Sequence, residues 1–252
     1  MTYGEFLLWF IGLPIGGLIF WSWGKKPLPP LLARPFFFTA SFLAIVAVAY
    51  TTPWDNYLVF KGVWTYPSDR VWGIRLGWVP LEEYIFFVLQ TILTLLWIWG
   101  LSARITPDVS TRLPRWMEWA GGAAFFFLAG GAWAALKWGP SHWNYLALII
   151  GWSFPVIGGQ WALGGRGFWA YRRLLLIGII FPTLYLWGAD TFAIRSGIWH
   201  ISEKHSLGRY LPGGLPVEEA VFFLVTNTLI GFGFILVHRL RVSFMPLGKR
   251  RI

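Results

Sequence analysis

The two halves of the sequence carry the same pattern of acidic and aromatic residues. Three landmarks occur in the same order in each half: Asp55, Trp64 and Pro80-Leu81-Glu82-Glu83, then Asp190, Trp199 and Pro216-Val217-Glu218-Glu219. The spacing from the aspartate to the tryptophan is identical in the two halves, and the spacing from the tryptophan to the motif proline is longer by one residue in the second. Such an internal repeat constrains the architecture, because each copy is expected to form a similar structural unit.

Long apolar runs occupy most of the chain. Hydrophobic residues make up 56% of the 252 residues and charged residues 13%, whereas soluble domains carry about 25% charged residues. The runs are about 18–23 residues long, which is enough to cross a bilayer as a helix. We therefore predict an all-α, polytopic membrane protein with seven transmembrane helices, at roughly 4–23, 34–53, 79–100, 119–137, 144–163, 172–189 and 215–237.

The repeat and the number of spans together predict a topology. Helices one to three form the first repeat (1–105), helices five to seven form the second (141–252), and helix four bridges them (106–140). A three-helix unit ends on the side opposite its start, so one extra span is needed before the second unit enters in the same direction. The repeats are therefore expected to be parallel, related by an axis along the membrane normal, with both acid motifs on one side.

The basic residues predict the orientation. Fourteen Lys and Arg residues fall on the face that holds the C-terminus, and seven fall on the opposite face. Cytoplasmic loops carry the excess, so we expect a bacterial or archaeal plasma membrane protein with its C-terminus inside and its N-terminus and acid motifs outside. Because this loop placement also explains the net charge of +10, no nucleic-acid partner is expected. The absence of cysteine excludes disulfides and thiolate chemistry.

Each acid motif is predicted to begin a helix. Pro80 and Pro216 suit a first helical turn, where the missing N–H costs nothing. The glutamates that follow then lie in that turn, and because adjacent residues point about 100° apart, one of each pair can face the bundle and the other the loop. The helix dipole favours a charged carboxylate there, whereas burial favours the neutral acid, a good proton donor. Aromatic and amide residues follow on the same helices: Phe86, Phe87 and Gln90, then Phe222, Phe223 and Asn227.

An acid beside aromatic faces suits protonation of a carbon–carbon double bond, because ring quadrupoles stabilise the resulting carbocation. The candidate catalytic residues are Asp55, Glu82, Glu83, Asp190, Glu218 and Glu219. The candidate substrate-binding residues are Trp64, Phe86, Phe87, Gln90, Trp199, Phe222, Phe223 and Asn227. The structural alternatives are helix capping for the glutamates, a loop turn or ion pair for the aspartates, and helix packing for the phenylalanines. Duplication of the acids favours a function.

In these motifs the sequence resembles the small integral-membrane lycopene cyclases. The resemblance rests on the two Pro-x-Glu-Glu motifs and on Asp55 and Asp190, which precede each Gly-x-Trp element. In some actinobacteria that family consists of two separate three-helix subunits, and in fungi and haloarchaea the two are fused through an extra helix. The three-plus-one-plus-three arrangement matches the fused form, and the resemblance covers nearly the whole chain.

The resemblance implies an isomerisation of lycopene, or of a related acyclic C40 carotenoid, without net redox change. An acid protonates C2 of the ψ-end, the C5–C6 double bond attacks the cation at C1, and a base removes a proton. Loss from C6 gives the β-ring of γ- and β-carotene, and loss from C4 gives an ε-ring. The motif glutamates are implied as acid and base, with the two aspartates in support. No cofactor or metal is implied, and the apolar substrate enters laterally from the lipid bilayer.

Other protein classes stay open at this point. A carotenoid hydratase would quench the same cation with water and would need a water-accessible polar channel at the acid motif. A small proton-coupled transporter would need a continuous polar path through the membrane, whereas the helix centres are nearly all apolar. The sequence also leaves open the ring type, the number of sites and whether the protein forms a homo-oligomer.

Overall fold

The computed structural model describes residues 1–25, 35–108, 110 and 112–244, with the backbone alone for 239–244. Among them, seven helical segments are long and apolar enough to cross a membrane, which confirms the predicted all-α membrane fold. The first segment combines α1 (Tyr3–Phe6), a π-helical stretch (Leu7–Gly12) and α2 (Leu13–Ser22). The other six are α3 (Phe36–Phe60), α4 (Leu81–Ser102), α5 (Arg115–Trp138), α6 (Asn144–Ala170, after a 3-10 turn at Ser141–Trp143), α7 (Arg172–Arg195) and α8 (Val217–Phe244).

The side of the membrane on which each end of the chain lies stays a prediction. The C-terminus lies outside the described residues, and so do five of the basic residues used for the orientation: Lys26, Arg34, Lys249, Arg250 and Arg251.

Four helices, α3, α6, α7 and α8, continue six or seven residues beyond their predicted ends. Two of these differences move candidate residues into a helix. α3 continues to Phe60 instead of ending at 53, and α7 continues to Arg195 instead of ending at 189. Asp55 and Asp190 therefore lie inside helices and are buried, not in loop turns. Neither forms an ion pair with another described residue. The helix continues past Pro53 because neighbouring helices and side chains tolerate proline in transmembrane segments.

The helices α4 and α8 form the centre of the bundle. In the most apolar 18-residue stretch of each helix, 61% of the residues are buried in α4 and in α8, whereas only 17% are buried in α5. α4 packs against α2, α3, α7 and α8, whereas α5 packs against α6 at the periphery. A peripheral α5 suits a bridging helix, although the division into two repeats stays a prediction. Since α4 and α8 both begin with an acid motif, the two motifs meet in the interior.

A short hairpin leads into each of the two central helices. β2 (Arg75–Leu76) pairs with β3 (Val79–Pro80), and β5 (Tyr210–Leu211) pairs with β6 (Leu215–Pro216). The hairpin turns contain glycines with positive φ, Gly77 at 70° and Gly213 at 100°, a conformation that favours glycine. The motif prolines precede the first helical turn rather than lie in it, because α4 begins at Leu81 and α8 at Val217.

A third strand pair joins the two loops that precede these hairpins. β1 (Trp64–Thr65) pairs antiparallel with β4 (His200–Ile201). Thr65 lies opposite His200, which occupies the equivalent position of the second half, directly after the repeated tryptophan. The pair fixes Trp64 and the following loop above the starts of α4 and α8.

The π-helical stretch compensates for a one-residue difference between the halves. The segment from Tyr3 to Pro14 is longer by one residue than the segment from Tyr145 to Pro155. A π-helical turn holds one more residue than an α-helical turn, because its hydrogen bonds join residues five rather than four apart. The extra residue is absorbed at Leu7–Gly12, and both tyrosines reach the same end of the bundle.

Asn227 links three helices in the core, and its removal should destabilise the fold. Its Oδ1 accepts a hydrogen bond from Thr94 Oγ1 at 2.7 Å, and its Nδ2 donates one to Thr183 Oγ1 at 3.0 Å. We expect Asn227→Ala to lower the free energy of unfolding by about 1–2 kcal/mol, because two buried hydroxyls lose a partner. Denaturant unfolding in detergent measures the change.

The matched control is Thr228→Ala, since Thr228 bonds only to Leu224 O of its own helix. Equal unfolding free energies for the two variants would contradict a stabilising role for Asn227.

Candidate active site

The acid motifs of both halves contribute to one cavity. Glu83 from the start of α4 and Glu219 from the start of α8 line it together with Asp190. Its other lining residues are aromatic: Tyr3, Trp64, Tyr66, Phe86, Trp199, Phe222 and Phe223. The free space holds about one water molecule. Residues of both halves therefore line this cavity.

Two tyrosine hydroxyls hold Glu83. Tyr3 donates a hydrogen bond to Glu83 Oε2 at 2.6 Å, and Tyr66 donates to the same oxygen at 2.9 Å. Tyr3 comes from the first span and Tyr66 from the loop after β1, so two separate elements fix this carboxyl. Burial of the Tyr66 hydroxyl, and secondarily the nearby Glu83 carboxylate, raise the pKa of Tyr66 well above its usual value. Tyr66 is therefore a neutral donor.

One tyrosine hydroxyl holds Glu219. Tyr145, at the start of α6, donates to Glu219 Oε1 at 2.6 Å. Asp190 lies close enough to Glu219 to interact with it electrostatically, and Asp190 Oδ1 accepts a hydrogen bond from Trp199 Nε1 at 3.0 Å. Glu219 thus has one phenol donor, against two for Glu83.

The other glutamate of each motif faces the loops. Glu82 Oε1 accepts a hydrogen bond from the backbone N–H of Trp72, and Glu218 Oε1 accepts one from the backbone N–H of Leu207. Both side chains are buried, and neither lines the cavity. Glu82 and Glu218 therefore fix the loops over the site, while their neighbours supply the acids of the cavity.

The carboxyls at the site have no cationic partner in the described part of the chain. Asp55 is fully buried near Glu83, and neither of its oxygens has a hydrogen-bond partner among the described residues. The ion pairs found there involve Asp69, Asp108 and Glu118 instead, and no group of three or more His, Asp or Glu is arranged to hold a metal ion. A buried carboxylate without a cation is costly, so burial favours the neutral acid, which has a proton to donate, except where several hydrogen bonds stabilise the charged form.

Aromatic rings surround the buried acids. Phe222 is stacked with Trp54 at a centroid distance of 5.7 Å and meets Trp64 edge-on at 5.8 Å. Phe223 lies 5.3 Å from Phe222 and 6.2 Å from Phe86. The lining near Glu219 therefore includes several aromatic rings, whose faces, unlike their edges, attract cations.

An apolar groove between α3, α4, α6 and α8 reaches the site. Its free volume is about 160 Å³, and it shares Phe222 with the acid cavity. Its lining comprises Leu43, Val46, Ala47, Tyr50, Thr51, Phe87, Gln90, Thr91, Trp152, Val156, Gln160, Phe222, Thr226, Leu229 and Ile230. The groove and the acid cavity thus meet at Phe222.

The structure brings most of the residues proposed from the sequence together. Eight line the acid cavity: Trp64, Glu83, Phe86, Asp190, Trp199, Glu219, Phe222 and Phe223. Phe87 and Gln90 line the groove instead. Glu82 and Glu218 face the loops, Asp55 lies beside Glu83, and Asn227 lies away from both spaces.

Sequence reasoning missed the three tyrosines that hold the acids. Tyr3 and Tyr145 carried a usable signal, because each precedes a proline that recurs in the two first helices of the proposed repeats, Pro14 and Pro155. Tyr66 carried none, since the equivalent position of the second half is Ile201.

Comparison with known proteins gives the family. The family model described as lycopene cyclase matches residues 6–99 and 143–237, which include both acid motifs. The chain belongs to the lycopene cyclase family. A lycopene cyclase family assignment agrees with the buried acids and aromatic lining, and with the resemblance noted in the sequence.

Individual relatives come from archaea and fungi. A protein of Halobacterium salinarum named lycopene beta-cyclase is 41% identical over 194 residues, covering 77% of this chain and 79% of its own. Bifunctional lycopene cyclase/phytoene synthases of Pyrenophora tritici-repentis and Phaeosphaeria nodorum are 37% and 39% identical. Each of these fungal matches covers 83% of this chain and 39% of the longer relative. No solved structure matches the chain significantly.

The Tyr66 hydroxyl should stay protonated in mildly alkaline solution. Because burial and the Glu83 carboxylate raise its pKa above the ordinary value, wild-type protein and Tyr66→Phe should show the same tyrosinate absorbance up to about pH 10. Ultraviolet titration in detergent measures this difference. An additional wild-type ionisation near the ordinary tyrosine pKa would contradict the buried hydrogen bond to Glu83.

Proposed function

We propose that the protein cyclises the ψ-ends of lycopene to β-rings, giving γ- and β-carotene. The observation that carries the proposal is that Glu83 and Glu219, one from each half, line a single aromatic cavity reached by an apolar groove. Membership of the lycopene cyclase family supports the substrate, and the name of the Halobacterium relative supports the β-ring.

Glu219 is the proposed acid. It lies three residues before Phe222, which is one helical turn and therefore on the same face of α8, and Phe222 also lines the groove. An apolar chain end in the groove would thus lie against the face of α8 that carries Glu219. The carboxylic acid transfers its proton to C2 of the ψ-end and leaves a cation at C1. The faces of Phe222 and Trp64 stabilise this cation.

Glu83 is the proposed base. Its carboxylate accepts two phenol hydrogen bonds, and hydrogen bonds to the charged form favour that form. After the C5–C6 double bond has attacked C1, the cation lies at C5, and Glu83 removes the proton from C6. One proton enters and one leaves, so the product is an isomer of the substrate and the reaction needs no redox cofactor.

The proposal includes the two parallel repeats at 1–105 and 141–252, joined by residues 106–140. Equivalent contacts in the two halves support it. Tyr50 donates a hydrogen bond to Trp152 O at 2.9 Å, and Tyr185, at the equivalent position of the second half, donates one to Phe10 O at 2.7 Å. We also propose that the N-terminus and the acid motifs lie on the outer side of the membrane, on the basis of the Lys and Arg distribution.

Expression in a lycopene-accumulating bacterial host tests the activity. We expect chromatography of the pigments to show monocyclic and bicyclic carotenes with β-rings. Rings with the ε double bond would overturn the ring type, and a hydroxylated acyclic product would favour a hydratase. Unchanged lycopene beside well-folded membrane protein would overturn the proposed function and favour the transporter.

Single substitutions test the acid and base. Glu83→Gln and Glu219→Gln should each lower product formation about 10²–10⁴-fold, because the amide neither donates the proton nor accepts it. The matched controls are Glu82→Gln and Glu218→Gln, which should lose less than about tenfold, since an amide oxygen still accepts the backbone hydrogen bond. Full activity of Glu83→Gln and Glu219→Gln would exclude both assigned roles.

A further inference from the structure

Four aromatic rings form a continuous stack from the lipid-facing side of the bundle to the acid cavity. Tyr50, which is 40% exposed, stacks on Trp152 at 5.5 Å, Trp152 on Trp54 at 4.7 Å, and Trp54 on Phe222 at 5.7 Å. The interplanar angles are 23°, 22° and 5°. Hydrogen bonds from Tyr50 to Trp152 O and from Trp54 Nε1 to Leu148 O fix the stack between α3 and α6.

The groove beneath this stack runs parallel to the helices. Its lining extends over nine residues, and therefore eight residue-to-residue steps, on each of three helices, from 43 to 51, from 152 to 160 and from 222 to 230. At 1.5 Å per residue this corresponds to about 12 Å along the helix axis. The groove thus extends from the acid cavity towards the bilayer centre, and apolar residues form most of its lining.

The opposite side of the bundle has a corresponding groove that does not reach the acids. It lies between α2, α4 and α7, and it has a volume of about 270 Å³. Its lining comprises Pro14, Gly17, Leu18, Leu93, Trp97, Phe181, Pro182 and Tyr185, none of which lines the acid cavity. The aromatic stack is also interrupted on this side, because the residue that corresponds to Trp54 is Ala189.

We infer that the polyene chain of the substrate binds on one side only, in the groove between α3 and α6, against Tyr50, Trp152 and Phe222, three rings of the stack that line this groove. This inference rests on the proposed function, since the occupant is the remainder of the C40 chain whose end is protonated at Glu219. An apolar polyene matches the mostly apolar lining of this groove. Continuity through Phe222 aligns the bound chain with the acid. The corresponding groove at Gly17 is not used by the reacting substrate.

Filling each groove with the same side chain tests the inference. Ala47→Trp places an indole in the α3–α6 groove, and Gly17→Trp, where an added Cβ meets no atom within 4 Å, places one in the opposite groove. In lycopene-accumulating cells Ala47→Trp should lower product formation about tenfold or more, while Gly17→Trp should stay within about twofold of wild type. Val156→Phe, on the facing wall of the same groove, should act like Ala47→Trp if the latter folds poorly.

A binding measurement separates this inference from the proposed chemistry. Glu219→Gln protein purified from the same cells should retain lycopene. The double variant Glu219→Gln/Ala47→Trp should bind about tenfold less pigment per protein, or less still. The double variant Glu219→Gln/Gly17→Trp should bind as much pigment as Glu219→Gln alone. Equal retention or equal activity of the two groove variants would overturn the inference. Selective loss of carotenoid on adding Ala47→Trp, together with the failure of the wild-type protein to form any cyclic product, would uphold the groove and overturn the cyclase. Absence of both bound carotenoid and product in every variant would overturn both.

Discussion

The rest of the structure depends on a set of buried carboxyl groups. Among the described residues, no Lys, Arg or His forms an ion pair with them. A buried polar group without a hydrogen bond costs about 2–7 kcal/mol on transfer scales, so the fold must supply donors. Backbone N–H groups of the loops before the hairpins hold Glu82 and Glu218, and tyrosines from the first span, the β1 loop and α6 hold Glu83 and Glu219. The loops, the strand pairs and the first turns of the spans therefore converge on the starts of α4 and α8.

Much of this arrangement could be predicted from the sequence, because its main signals are one-dimensional. Length and apolarity alone determine which segments cross a membrane, and the duplicated motif places both acid pairs at helix starts. The predicted ends of α3 and α7 were wrong because they rested on these one-dimensional signals alone. Proline and acidic residues after an apolar run resemble the exit from a membrane, and only the packing of other helices around Asp55 and Asp190 shows that they stay inside.

The hydrogen-bond partners of the acids could not be predicted in this way. Tyr3 and Glu83 are 80 residues apart, and Tyr145 and Glu219 are 74 apart, so their contact depends on how the spans pack. A tyrosine at the end of an apolar run is also typical of the membrane interface, which conceals a role in the interior. For a related reason, the sequence does not show which glutamate of each motif faces the cavity. Adjacent residues of a helix point about 100° apart, but only the packing of the helices shows which of the two points inwards.

The differences between the two halves explain how a repeated structure supports an asymmetric reaction. Proton transfer in the proposed cyclisation needs one group that gives a proton and another that accepts one, and two identical environments would not separate these roles. Tyr66 gives Glu83 a second phenol donor, whereas the corresponding residue near Glu219 is Ile201. Trp54 completes the aromatic stack on one side, whereas Ala189 interrupts it on the other. Glu219, which has a single phenol donor, lies on the same face of α8 as Phe222, the last ring of the stack, so the groove, the stack and the proposed proton donor meet at the start of one helix.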